Sequence, residues 1–94
     1  MFLFKYRVRE NADGIWYNKA EVGKLKQTVG KNIARYRKEQ HLTQRELAEL
    51  LHISYQAVSK WENGQSMPDV YLFPRLAAVL HTSVDQLMGY SHEY

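Results

Sequence analysis

Three of the four histidines stand in one repeated setting: His41-Leu42-Thr43, His52-Ile53-Ser54 and His81-Thr82-Ser83, each after one apolar-periodic run and before another. Imidazole can ligate a metal or shuttle a proton. Positions 41, 52 and 81 nevertheless lack the i, i+4 spacing of a helical ligand pair, and the chain has no cysteine to complete a site. No Gly-x-Ser-x-Gly turn, paired carboxylates or phosphate-cradling glycine loop accompanies them. A protein that is not an enzyme, with no metal and no cofactor, is expected. The pattern fits helix punctuation instead. Histidine is enriched among the non-glycine residues that take left-handed backbone past a helix's last turn, where its partial positive charge suits the dipole. Thr43, Ser54 and Ser83 are then N-caps, and Thr43-x-x-Glu46 and Ser83-x-x-Gln86 complete capping boxes.

The second chemistry-bearing group is a set of hydrogen-bonding side chains: Tyr55, Gln56, Ser59, Lys60 and Asn63. At 100° per residue they share an arc of about 140°, opposite Ala57, Val58 and Trp61. Taken alone, such an arc is as readily a solvated face as a binding surface.

The elements that must position these groups are short helices, predicted over 29–40, 44–51, 55–62, 72–80 and 84–88. Only His52, Ile53 and Ser54 join the second to the third, a turn of the length that sets two helices at a steep angle. In the first helix Val29, Ile33 and Tyr36 share a face, and the stripe continues back through Leu25 and Val22, with Asn18-x-x-Glu21 as a cap for such an extension. Gly23 and Gly30 would each cost about 1 kcal/mol relative to alanine inside it, so a break or kink is expected near Thr28. Pro74, tolerated in a first turn, starts the fourth helix near Leu72 or Phe73. Leu76, Ala77, Val79 and Leu80, then Val84, Leu87 and Met88, give apolar faces before Gly89 ends the last helix.

Ninety-four residues allow one domain and a short appendage, which excludes a multidomain enzyme. With 45% hydrophobic and 24% charged residues, the chain should bury a small core. No stretch reaches the roughly 18 apolar residues of a membrane span, and Lys5, Arg7 and Arg9 interrupt the start before a signal-peptide core can form. A cytoplasmic protein with no membrane partner is expected. Residues 1–28 carry six basic and three acidic side chains and hence the whole net charge of +3, while the remainder balances seven against seven. Attraction to a polyanion must come from that first segment or from a local cluster such as Lys31, Arg35, Arg37 and Lys38.

The series Leu42-Thr43-Gln44-x-x-Leu47-Ala48, Ile53-Ser54, Val58-Ser59-Lys60-Trp61-Glu62-Asn63-Gly64, Pro68-Asp69 and Leu76-Ala77-x-x-Leu80 resembles the Cro/phage-repressor (XRE-type) helix-turn-helix family, over residues 29–89. The resemblance implies an all-α fold, a five-helix lambda-repressor-like DNA-binding domain whose third helix enters the major groove of double-stranded DNA. It implies base contacts from Ser54, Tyr55, Gln56, Ser59 and Lys60. Gln56 suits adenine N6/N7 and Lys60 guanine O6/N7, while Tyr55 can pack on a thymine methyl or bond a phosphate. Gln44 matches a glutamine that meets the phosphate backbone and braces the recognition helix; Thr43 and Asn63 are further phosphate-contact positions. Arg37 and Glu62 match a structural pair that ties the first helix to the end of the third. Trp61 is expected in the core, and Ala48 where helices approach closely.

Many members of that family carry Lys or Arg where this chain has Gln65, Ser66 and Met67. Low affinity per domain is therefore expected, met by a homodimer reading two half-sites about 34 Å apart or by the basic N-terminal segment. The implied function is sequence-specific DNA binding by a transcriptional regulator, a repressor that occupies an operator. The alternative is a protein-interaction adaptor, antitoxin-like or coactivator-like, on the same scaffold. No feature names a small-molecule effector.

Residues 1–28 lie outside the resemblance and are expected to form an extension, followed by the domain over 29–89 and a tail over 90–94. Phe2, Phe4, Tyr6 and Val8 alternate with Leu3, Lys5, Arg7 and Arg9 as in a half-buried strand. Asn11-Ala12-Asp13-Gly14 offers turn residues, and Ile15-Trp16-Tyr17 a returning strand, so a β-hairpin is expected. A lone hairpin is marginal in water, and its aromatic side should pack on the helical body or on a second subunit. A dimer-forming strand, a DNA-contacting arm and a plain appendage all stay open.

Overall fold

The computed structural model describes residues 8–10 and 16–90, with side chains from residue 20 onward. β1 (Val8–Glu10) and β2 (Trp16–Asn18) pair antiparallel, Val8 opposite Asn18 and Glu10 opposite Trp16. The expected alternation from Phe2 to Tyr6 and the turn at Asn11-Ala12-Asp13-Gly14 lie outside the described residues.

From β2 the chain passes directly into α1 (Lys19–Glu39), followed by α2 (Gln44–Leu51), α3 (Tyr55–Glu62), a 3₁₀ turn at Val70–Leu72, α4 (Phe73–Val79) and α5 (Val84–Met88). Five helices thus make the body of the chain, an all-α fold. No described helix is long and apolar enough to cross a membrane.

The expected break near Thr28 is absent, for α1 runs through it. The apolar stripe explains this: Val29 and Ile33 are fully buried and Leu25 and Tyr36 pack beside them, so burial outweighs the weak propensity of two glycines. Gly30 is also required where it stands. A Cβ there would collide with the carbonyl oxygen of Trp61, so α1 and the end of α3 could not approach as they do. Gly23, by contrast, faces open space.

The three histidines end helices as their setting implies. His41, His52 and His81 have φ of 58°, 56° and 55°. In each case the following residue donates its N–H five residues back, Leu42 to Arg37, Ile53 to Ala48 and Thr82 to Ala77, at 2.9 to 3.1 Å. This closes a Schellman turn and satisfies carbonyls the helix leaves open. The partly buried Leu42 and Ile53 add apolar contacts to the core. Thr43 and Ser83 complete their capping boxes with Glu46 and Gln86. Pro74 lies in the first turn of α4, where its missing N–H is harmless.

Leu47, Leu51, Val58, Trp61, Phe73, Leu76, Leu80 and Leu87 join Val29 and Ile33 in one core. Asn32 locks α1 to the far end of the chain by donating its amide to the carbonyls of Gln86 and Leu87 at 3.2 and 3.1 Å.

Candidate nucleic-acid interface

Capped helix starts at Thr43 and Ser54 open α2 and α3, the two helices joined by the short turn. Thr43 accepts the Glu46 N–H at 3.0 Å, and Ser54 accepts the Ala57 N–H at 3.3 Å. Both oxygens therefore fix helix starts, and each hydroxyl keeps its proton and one lone pair for a ligand. The Glu46 carboxylate answers by accepting the Thr43 backbone N–H at 2.9 Å. That bond, with a further contribution from the Thr43 hydroxyl, holds Glu46 below the usual carboxylate range.

The far end of α3 is pinned from behind. Arg37 on α1 meets Glu62 in a two-pronged bridge, Nε to Oε2 at 2.6 Å and Nη2 to Oε1 at 2.9 Å. Its third prong donates to the Leu42 carbonyl at 2.9 Å. The Glu62 bond raises the guanidinium above its ordinary value against the opposing effect of burial, so Arg37 is cationic wherever the fold exists. Gln44 adds its side-chain amide to the same carboxylate, Nε2 to Oε1 at 3.0 Å. One carboxylate thus ties α1, α2 and α3 together. Gln44 keeps its second amide proton and its carbonyl for an outside partner.

Held at both ends, α3 buries Val58 and Trp61 and turns the opposite side outward. Tyr55, Gln56, Lys60 and Asn63 are exposed, with Ser59 half-buried among them. Among the described residues, none hydrogen-bonds the side chains of Gln56, Ser59, Lys60 or Asn63. The structure therefore brings together the residues the resemblance singled out. It also splits the basic cluster read from α1. Arg37 is enclosed by Glu62 and Leu42, and Arg35 bonds the Tyr36 hydroxyl at 2.8 Å, with Glu39 at 3.9 Å. Lys31 and Lys38 are exposed.

One residue escaped the sequence reading. Arg45, in the first turn of α2, lies with its guanidinium 4.1 Å from the centroid of the Tyr55 ring at the start of α3. The signal available beforehand was a cation at a helix start, the end that disfavours positive charge. Its partner ten residues on, across a turn, has no periodic spacing to announce it.

The helix-turn-helix family HTH_3 matches residues 33–87. The transcriptional activator BcrR of Enterococcus faecalis is 35% identical over 49 residues, which is 52% of this chain and 24% of that relative. The clp gene regulator ClgR from Corynebacterium glutamicum superposes with a TM-score of 0.64 at 26% identity, covering 68% of each chain. A transcriptional regulator from Listeria innocua superposes with a TM-score of 0.62 at 35% identity, covering 70% of this chain and 62% of its own.

Proposed function

The chain belongs to the helix-turn-helix family HTH_3, whose regulators bind double-stranded DNA, and from that membership we propose a sequence-specific transcriptional regulator that inserts α3 into the major groove. The observation that carries this reading is the state of the outward face of α3. The side chains of Gln56, Lys60 and Asn63 are exposed there and, like that of the half-buried Ser59, hydrogen-bond none of the described residues, on a helix whose back and both ends are fixed. The helix backbone that carries them is pre-organised, so on meeting base edges only side-chain freedom is lost. Gln56 carries specificity through a two-pronged bond to adenine, and Lys60 reaches guanine on the same face. The spare amide proton of Gln44 and the side chain of Asn63 contact phosphates on either side. With few cations on this surface, affinity comes from a homodimer reading two half-sites about 34 Å apart.

Repression by operator occupancy is the sign this surface supports, since it asks of the chain only that it bind. A relative that matches over 49 residues is named as an activator, so the sign is read directly with a reporter promoter carrying the selected site. The adaptor reading draws on Val70 and Tyr71, which are 82% and 75% exposed on the 3₁₀ turn before α4.

The test is selection from a randomised duplex library at near-physiological salt, with Gln56→Ala beside wild type. Enrichment of a two-half-site sequence that Gln56→Ala degrades at one base position supports direct readout. A folded protein that enriches nothing above background hands the lead to the adaptor reading.

A further inference from the structure

The Arg45 guanidinium covers one face of the Tyr55 ring and so couples the first turn of α2 to the first residue of α3. A cation there opposes the helix dipole, so its place is not one that helix stability selects. Tyr55 stays 37% exposed at the leading end of the recognition helix. An unrestrained tyrosine samples several rotamers, whereas one stacked on a planar cation presents a fixed apolar edge. Of the base-edge features in the major groove, only the thymine 5-methyl is apolar. We propose that Arg45 is a positioning residue: its stack on Tyr55 makes that ring the reader of a thymine 5-methyl group beside the base contacted by Gln56. The inference rests on the DNA-binding reading above and adds the residue that sets one operator position.

The test uses the full chain and the duplex that wild type enriches. Each thymine of a half-site is replaced in turn by deoxyuridine, which removes only the methyl. Wild type should lose about fourfold in affinity at one thymine, the effect of uncovering a single methyl, and little elsewhere. Tyr55→Phe should keep that penalty, because ring and stack survive. Arg45→Ala and Arg45→Lys should both erase it, while the loss from changing the base read by Gln56 stays at its wild-type size. Arg45→Lys separates the planar stack from the charge, which it retains. Thermal melting without DNA establishes that each variant is folded.

A methyl penalty that survives Arg45→Ala, with binding lowered equally on every sequence, overturns the proposal and makes Arg45 a phosphate contact. The absence of any methyl-sensitive thymine in wild type overturns it as well. Failure to enrich any sequence overturns the DNA-binding reading together with this inference, and is distinct because no half-site then exists to substitute.

Discussion

Replacing Arg37 by methionine should cost the fold about 3–5 kcal/mol, the loss expected when one partner of a buried ion pair is removed. An exposed pair would lose at most about 1 kcal/mol. The structure decides between the regimes, because the Arg37 and Glu62 side chains retain only 12% and 7% of their surface. Methionine keeps an unbranched apolar stem, so the loss reports the guanidinium. Glu62 is left with the Gln44 amide alone of its three side-chain donors, and the Leu42 carbonyl loses the donor that Arg37 gave it. For 94 residues the total stability is about 5–14 kcal/mol, so the change takes from about a fifth of it to nearly all of it. Urea unfolding should show a lower midpoint at constant slope. Adding Glu62→Leu to Arg37→Met should recover much of the loss, since no charge is then buried without a partner. A loss under about 1 kcal/mol for Arg37→Met, or a double variant no better than the single one, would refute the reasoning.

Other consequences can be measured on the same footing. Gly23→Ala should stabilise by about 0.5–1 kcal/mol, whereas Gly30→Ala should destabilise by about 1–2 kcal/mol because overpacking against Trp61 exceeds the gain in propensity; equal signs in urea unfolding would contradict the packing described. Glu46 sits below its unfolded value when folded, so its contribution is present above the ordinary carboxylate range and is lost as pH falls through the folded value. Glu46→Gln should keep the box geometry, as Gln86 does in the other box, and flatten the acid limb of stability against pH; an unchanged limb would exclude this role. His52→Asn should melt close to wild type, while His52→Val should cost about 1–2 kcal/mol at a φ of 56°; equal melting temperatures would mean that the left-handed cap is not maintained.

The helix ends were legible because their signals are local. A cap, a capping box or a Schellman turn closes within three to six residues, so Thr43, Ser54 and Ser83, and the histidines before them, could be read in order along the chain. The two faces of α3 were legible for a similar reason, since the 3.6-residue period alone separates Val58 and Trp61 from Gln56 and Lys60. The Arg37–Glu62 pair became visible through family resemblance, because a separation of 25 residues carries no periodicity of its own.

By itself, then, the sequence determined where α2, α3 and α5 begin and end, which side of α3 is polar, and the helix-turn-helix arrangement that follows. Tertiary structure decided what depends on contacts between elements. It carried α1 through Thr28, since burial of Val29 and Ile33 overrides the glycine penalty, and it gave Gly30 its purpose against the Trp61 carbonyl. It drew Arg37 out of the basic cluster on α1 and into a bridge, and divided Gln44 between Glu62 and the outside. It also set Arg45 over Tyr55. Propensity and capping energies are fixed by near neighbours, whereas burial, ion pairing and stacking depend on which surfaces meet, and only the folded chain specifies that.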